Sequence, residues 1–172
     1  IVSSIAIYYF QYIMGDKKYT EIALPILMLT AILFIPVSVI LSKKMGKKFV
    51  YGTGMIIIAV ICIILFLFGY KLDVRFTFAM MFFMGVGLGF TFAMPYAIVP
   101  DAIEYDYLRT GERREGAFYG IWTWGLKIGQ AFSIFIMGWI LTLNGYIEKA
   151  PSQSDTAQFA IRLFLGPVPA AI

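Results

Sequence analysis

The sequence has no histidine, a single cysteine (Cys62) and fewer acids than bases, 10 against 14. With those residues missing, the usual zinc ligand sets cannot be assembled, and no metal site is expected. Charge of either sign is scarce: 14% of residues are charged, where a soluble domain carries about a quarter. The gaps are long. Ile22–Ser42, Phe49–Tyr70, Phe76–Pro100 and Gly116–Ile147 hold no charge except Lys127 in the last. Each reaches the roughly 18–20 apolar residues that carry a helix across a bilayer. None contains an acid. That argues against a membrane enzyme, which would want acids or histidines at depth. It argues equally against a retinal-type photoreceptor, whose Schiff-base lysine needs a carboxylate counter-ion. Neither catalysis nor a cofactor is expected.

What remains is apolar, 60% hydrophobic and 17% aromatic, and reads as an all-α polytopic membrane bundle. Complete spans are expected at about 22–42, 49–70, 76–100 and 117–146, with a partial span over 1–14 and another from about 156. Both ends thus read as cut, and the sequence as a fragment of a longer protein. Short connections separate the spans. "GDKKYTE", "KLDVR" and "IEKAPSQSD" lie on one side, "KKMGKK" and "DAIEYDYLRTGERRE" on the other. Lysine and arginine choose the orientation. The second side carries Lys43, Lys44, Lys47, Lys48, Arg109, Arg113 and Arg114, and "KKMGKK" has no acid, so this side is expected in the cytoplasm. The net charge of +4 comes from such loops, so no nucleic-acid partner is expected. Cys62 lies mid-span as packing.

Local signals shape the long loop. Pro100 is expected to end its span, with Asp101 and Glu104 as a capping box for a short surface helix over "AIEYDYL", stopped by Gly111. "GERREG" then reads either as a solvated, topology-setting loop or as a gate whose Arg109, Arg113 and Arg114 pair across a cleft with a second bundle. Gly85 and Gly89 stand four apart, as do Gly116 and Gly120, and Gly125, Gly129 and Ser133 continue the spacing. Small residues at such intervals let helices approach closely in lipid. Pro25, Pro36 and Pro95 are expected to kink their spans.

Lys127 is the exception that needs a reason. It lies ten residues past Ala117, about 15 Å into the helix and about half-way through a roughly 30 Å hydrocarbon core. An ammonium there should face protein or a wet cavity. Thr123 and Trp124 are one turn before it and Gln130 nearly one turn after. A hydroxyl, an amide, an ammonium and an indole on one face suit a polyhydroxylated ligand. The plainer reading is a structural lysine paired with an acid of a neighbouring helix. Phe92 and Tyr96 are one turn apart on the preceding span, a spacing that more often serves packing. Arg162 lies about two turns into the last partial span, near enough to its end to snorkel outward, and reads as structural.

Residues 94–132, "MPYAIVPDAIEYDYLRTGERREGAFYGIWTWGLKIGQAF", resemble the glycoside–pentoside–hexuronide:cation symporters, the melibiose-permease group of the major facilitator superfamily. The resemblance rests on Pro-Asp-x-Ile-Glu-Tyr-Asp, Thr-Gly-Glu-Arg-Arg-Glu-Gly and a helix carrying Lys-x-Gly. It implies sugar or glycoside uptake coupled to sodium or protons, in a bacterial cytoplasmic membrane, through a cavity between two six-helix bundles. This chain would then be most of the C-terminal bundle, partial helix seven through partial helix twelve, with the N-terminal bundle outside it. Lys127 falls on a lysine near the family's sugar and cation sites, Thr123 on a pocket-lining threonine, and Phe92 where a tryptophan faces the sugar. Trp122 stands where melibiose permease has glutamine. The family's cation-binding acids lie in the N-terminal bundle. A lipid-transporting relative within the superfamily, or a non-transporting membrane sensor, are the alternatives.

Overall fold

A computed structural model describes residues 8–10, 12–13, 18–69, 73–147, 150 and 153–170. Every regular element among them is a helix: α1 (Lys18–Met45), α2 (Lys47–Phe68), α3 (Val74–Thr110), α4 (Glu115–Leu143), α5 (Asp155–Leu165) and α6 (Pro167–Ala170). Residues 8–10 and 12 are helical as well. The first four helices are each long and apolar enough to cross a membrane, matching the four uncharged runs. The partial spans expected over 1–14 and from 156 are described only in part.

Polar residues set the boundaries. Asp73 caps α3 by accepting from the Arg75 amide at 3.5 Å, and Ser154 caps α5 by accepting from the Ala157 amide at 3.3 Å. Gly46 (φ 88°) forms the whole connection between α1 and α2, and Gly111 (φ 72°) ends α3, both in the left-handed region that favours glycine.

α3 is central, packing on both α1 and α2. Leu27, Leu65, Met81, Met84, Ile161 and Leu165, with Tyr9 and Phe10, form the main core. Glycine makes the approach close. A Cβ at Gly85 would meet the Leu27 carbonyl oxygen at 2.6 Å, and one at Gly89 the Ala31 carbonyl oxygen at 2.7 Å. The expected small-residue packing is therefore present on α3. On α4 it is not: a Cβ at Gly116, Gly120, Gly125 or Gly129 would meet no described atom within 4 Å.

Three local expectations fail. Pro100 does not end its span: α3 runs through Pro95 and Pro100 for 37 residues, about 55 Å at 1.5 Å per residue, so its last turns project beyond a roughly 30 Å core. The separate surface helix and its capping box are absent. Asp101 is instead ion-paired to Lys47 at 2.6 Å, and the same ammonium donates to the Ala97 carbonyl at 2.9 Å, one turn before the proline. Arg162 does not snorkel outward. Its Nη2 donates to the Phe66 carbonyl at 2.8 Å and its guanidinium lies 5.4 Å from the Phe66 ring, near the C-terminal end of α2, where cations are favoured.

Candidate functional site

α4 carries the candidate site because it stands apart. Only Met137 and Leu141, near its C-terminal end, are buried. It touches α3 and α5, leaving its first five turns largely uncovered by the described residues. At about 100° per residue, Gln130, Thr123, Lys127 and Trp124 fall within an arc of about 120°, and Gly116 and Gly120 share it. The structure presents this arc outward: Thr123, Trp124, Lys127 and Gln130 are all exposed, Trp124 at 68%. The two glycines leave the helix slim on this same face, about two and three turns before Lys127.

Among the described residues Lys127 forms no ion pair within 4.0 Å and no hydrogen bond. Glu115, the nearest acid along α4, is twelve residues away, about 18 Å of helix. Asp101, Glu104 and Asp106 lie within helix α3 rather than in the expected loop, but on its projecting end. None shares the depth of Lys127.

The neighbouring face of α4 carries a shallow open groove of about 460 Å³, lined by Trp122, Gly125, Leu126, Gly129, Gln130 and Ser133 with Ile121, all on this one helix. Gln130 is the border between this groove and the Lys127 arc. Here α3 comes in: the Tyr96 ring lies 4.9 Å from Trp122, and Tyr119 lies 6.4 Å from the same indole. Tyr96 is thus brought to Trp122, not to Trp124. Phe92, one turn earlier and 49% exposed, makes no ring contact among the described residues. Tyr119 is the residue that site reasoning from the sequence passed over, and Trp122 entered only through the resemblance. Their spacing of three on α4 was the available signal.

At the α3–α4 connection the three arginines differ. Arg114 pairs with Asp106 at 3.2 Å and approaches Glu112 at 3.8 Å. Arg113 reaches Glu115 at 4.0 Å, with its guanidinium 5.2 Å from the Tyr107 ring. Arg109 is exposed and has no ion pair among the described residues. A recess of about 270 Å³ lies between the two helix ends, lined by Ile103, Glu104, Tyr107, Arg113, Glu115 and Tyr119 with Pro100. No cluster of three or more metal-ligating side chains occurs among the described residues.

Lys127 thus stands mid-way along a membrane-spanning helix, uncovered by the described residues. Residues 1–172 match the family described as MFS/sugar transport protein. The chain belongs to this family. The resemblance seen in residues 94–132 therefore extends over the full sequence, and the chain is an integral membrane protein. It is 34% identical to a putative sulfoquinovose importer of Salmonella typhimurium, over 98% of this chain and 36% of the relative. A putative 2,3-dihydroxypropane-1-sulfonate exporter of Escherichia coli is 30% identical, with the same coverage of each chain. A raffinose carrier protein of Pediococcus pentosaceus is 28% identical, over 97% of this chain and 26% of the relative. The chain spans about a third of the length of the relatives it matches.

Proposed function

We propose that this chain is most of the C-terminal bundle of a secondary active transporter that takes up a sugar or glycoside in symport with sodium or protons. The observation that carries the reading is the Lys127 arc: an ammonium at mid-span, flanked by a hydroxyl, an amide and an indole, and left uncovered by the described residues. Charges at that depth mark transport pathways more often than packing. In this reading the arc faces a central cavity shared with an N-terminal bundle. Thr123, Trp124 and Gln130 hold the sugar from α4, and Phe92 and Tyr96 from α3. Lys127 is salt-bridged to carboxylates of the other bundle. A coupling cation entering those carboxylates weakens their hold on the ammonium and so reshapes the adjoining sugar site, which is the physical content of coupling. Arg109, Arg113 and Arg114 act as a cytoplasmic gate against the same bundle.

A second reading of the ammonium has its own support. Two of the relatives above are named for sulfonates, so Lys127 would instead hold an anionic group on the transported sugar. The importer and exporter names also leave direction to experiment.

The test is solute uptake by the complete protein in proteoliposomes under an imposed sodium or proton gradient. Lys127→Leu is expected to insert normally and to lose uphill uptake. Lys127→Arg is expected to rescue poorly, because a planar fork does not mimic a compact ammonium. Uphill, cation-dependent uptake of anionic and neutral sugars alike by the leucine variant would reduce Lys127 to a structural role.

A further inference from the structure

Away from the Lys127 arc, the α1–α2 corner carries a second built feature. The two helices are joined by Gly46 alone, and four lysines crowd the turn: Lys43 and Lys44 end α1, Lys47 and Lys48 begin α2. The four are not equivalent. Lys47 turns inward to Asp101 and the Ala97 carbonyl. Lys43, Lys44 and Lys48 form no ion pair among the described residues, and all three are exposed. The nearby acids are already engaged, Asp101 by Lys47 and Asp106 by Arg114. Three positive charges are left uncompensated.

Beside them opens a groove of about 980 Å³ between this corner and the cytoplasm-assigned ends of α3 and α4. Met45, Phe49, Ile98 and Phe118 make its apolar part, the already paired Asp101 and Asp106 also line it, and Lys47 and Lys48 stand at its rim. Met45 and Phe49 are 49% and 54% exposed. Phe49 also opens the uncharged run of α2, so the lysines stand where hydrocarbon gives way to headgroups. A soluble anion would satisfy the lysines and leave the apolar walls wet. A neutral lipid would do the reverse.

We propose that this corner binds an anionic phospholipid of the surrounding bilayer. Its phosphate lies against Lys43, Lys44 and Lys48, and an acyl chain runs along Phe49, Ile98 and Phe118. Each lysine at an anionic membrane surface strengthens binding about fivefold, so three supply about a hundredfold preference at most.

The complete protein is reconstituted in phosphatidylcholine bilayers doped with spin-labelled phosphatidylglycerol or spin-labelled phosphatidylcholine, and the immobilised fraction of each label is read by electron spin resonance. Labelled phosphatidylglycerol is expected in severalfold excess at the protein. The excess should vanish in the Lys43→Gln/Lys44→Gln/Lys48→Gln variant and persist when the same three become arginine. If the glutamine variant fails to fold, a salt titration of the wild type decides: the excess must fall as salt rises. Equal immobilisation of the two labels overturns the proposal, as does an excess indifferent to both salt and substitution. So does a Phe49→Cys residue (with Cys62→Ser) that cross-links to another segment of the protein in membranes, which would place protein in the groove.

Discussion

Gly85→Ala is the sharpest probe of how α1 and α3 are built against each other. The added methyl carbon would stand 2.6 Å from the Leu27 carbonyl oxygen and 2.7 Å from Thr30 Cβ. Heavy atoms in good contact are about 3.5–4.0 Å apart, so the overlap is about 1 Å. The oxygen belongs to a helix backbone and cannot swing aside, so the two helices must separate. Separation loosens Leu27, Met81 and Met84, none more than 2% exposed. Overpacking costs about 1–3 kcal/mol, here toward the upper end, while alanine returns about 1 kcal/mol of helix propensity over glycine. The net loss is about 1–2 kcal/mol. Gly89→Ala should cost as much alone, but the double variant less than the sum, because α1 has already moved when the second methyl arrives. Gly129→Ala is the contrast, since no described atom lies within 4 Å of its Cβ position. Thermal inactivation of the purified complete protein measures all four. A Gly85→Ala protein as stable as the wild type refutes the close packing, and an equal fall for Gly129→Ala denies its specificity.

Two further outcomes are expected from the cytoplasm-assigned face. Single cysteines at Lys44 and Thr110, with Cys62 removed, should resist an impermeant thiol reagent in intact cells. Labelling at the rate seen in opened cells would invert the orientation. If the proposed gate holds, exchanging Arg109, Arg113 and Arg114 together for glutamine should shift the complete protein toward an inward-facing state, although exposed pairs are worth only about 0–1 kcal/mol each. An unchanged inward/outward population, read by site-directed spin labels, leaves these arginines with topology alone.

The spans were legible because a bilayer writes its thickness into the sequence as uncharged runs, and all four long helices coincide with them. The end of α3 was not. Pro100 and the Asp101/Glu104 spacing are local signals for a stop and a restart, but Lys47, 54 positions earlier, supplies an ammonium to both Asp101 and the Ala97 carbonyl. That long-range partner holds the helix beside its proline and removes Asp101 from capping duty. The arc of Thr123, Trp124, Lys127 and Gln130 was readable from helical periodicity alone. The meeting of Tyr96 with Trp122 depends on the register of α3 against α4, which no one-helix pattern encodes. Likewise Gly85 and Gly116 belong to identical spacings, and only the neighbours distinguish them: α1 lies against one, and open space among the described residues against the other.

The open question of Lys127 is what balances its charge, and the two proposed answers separate experimentally. A lysine at mid-bilayer costs about 2.5–3.5 kcal/mol to insert, and no described acid of this chain lies within 4.0 Å to offset it. In the proposed reading the compensation comes from another bundle or from cargo. If carboxylates of the other bundle hold the ammonium, Lys127→Leu leaves those acids to repel one another. The variant should then still exchange sugar down its gradient while losing the dependence on cation. If the ammonium instead holds a sulfonate or carboxylate on the cargo, the same variant should keep its cation dependence and lose affinity for the anionic sugar. A charged hydrogen bond of about 1.5–3 kcal/mol translates into roughly a tenfold to hundredfold loss, with neutral sugars bound as before. Equilibrium exchange of a sulfonated and a neutral sugar, each with and without the coupling cation, reads both arms in one protein. Loss of cation dependence with unchanged anionic affinity would eliminate the cargo reading, and the reverse pattern would eliminate the coupling one.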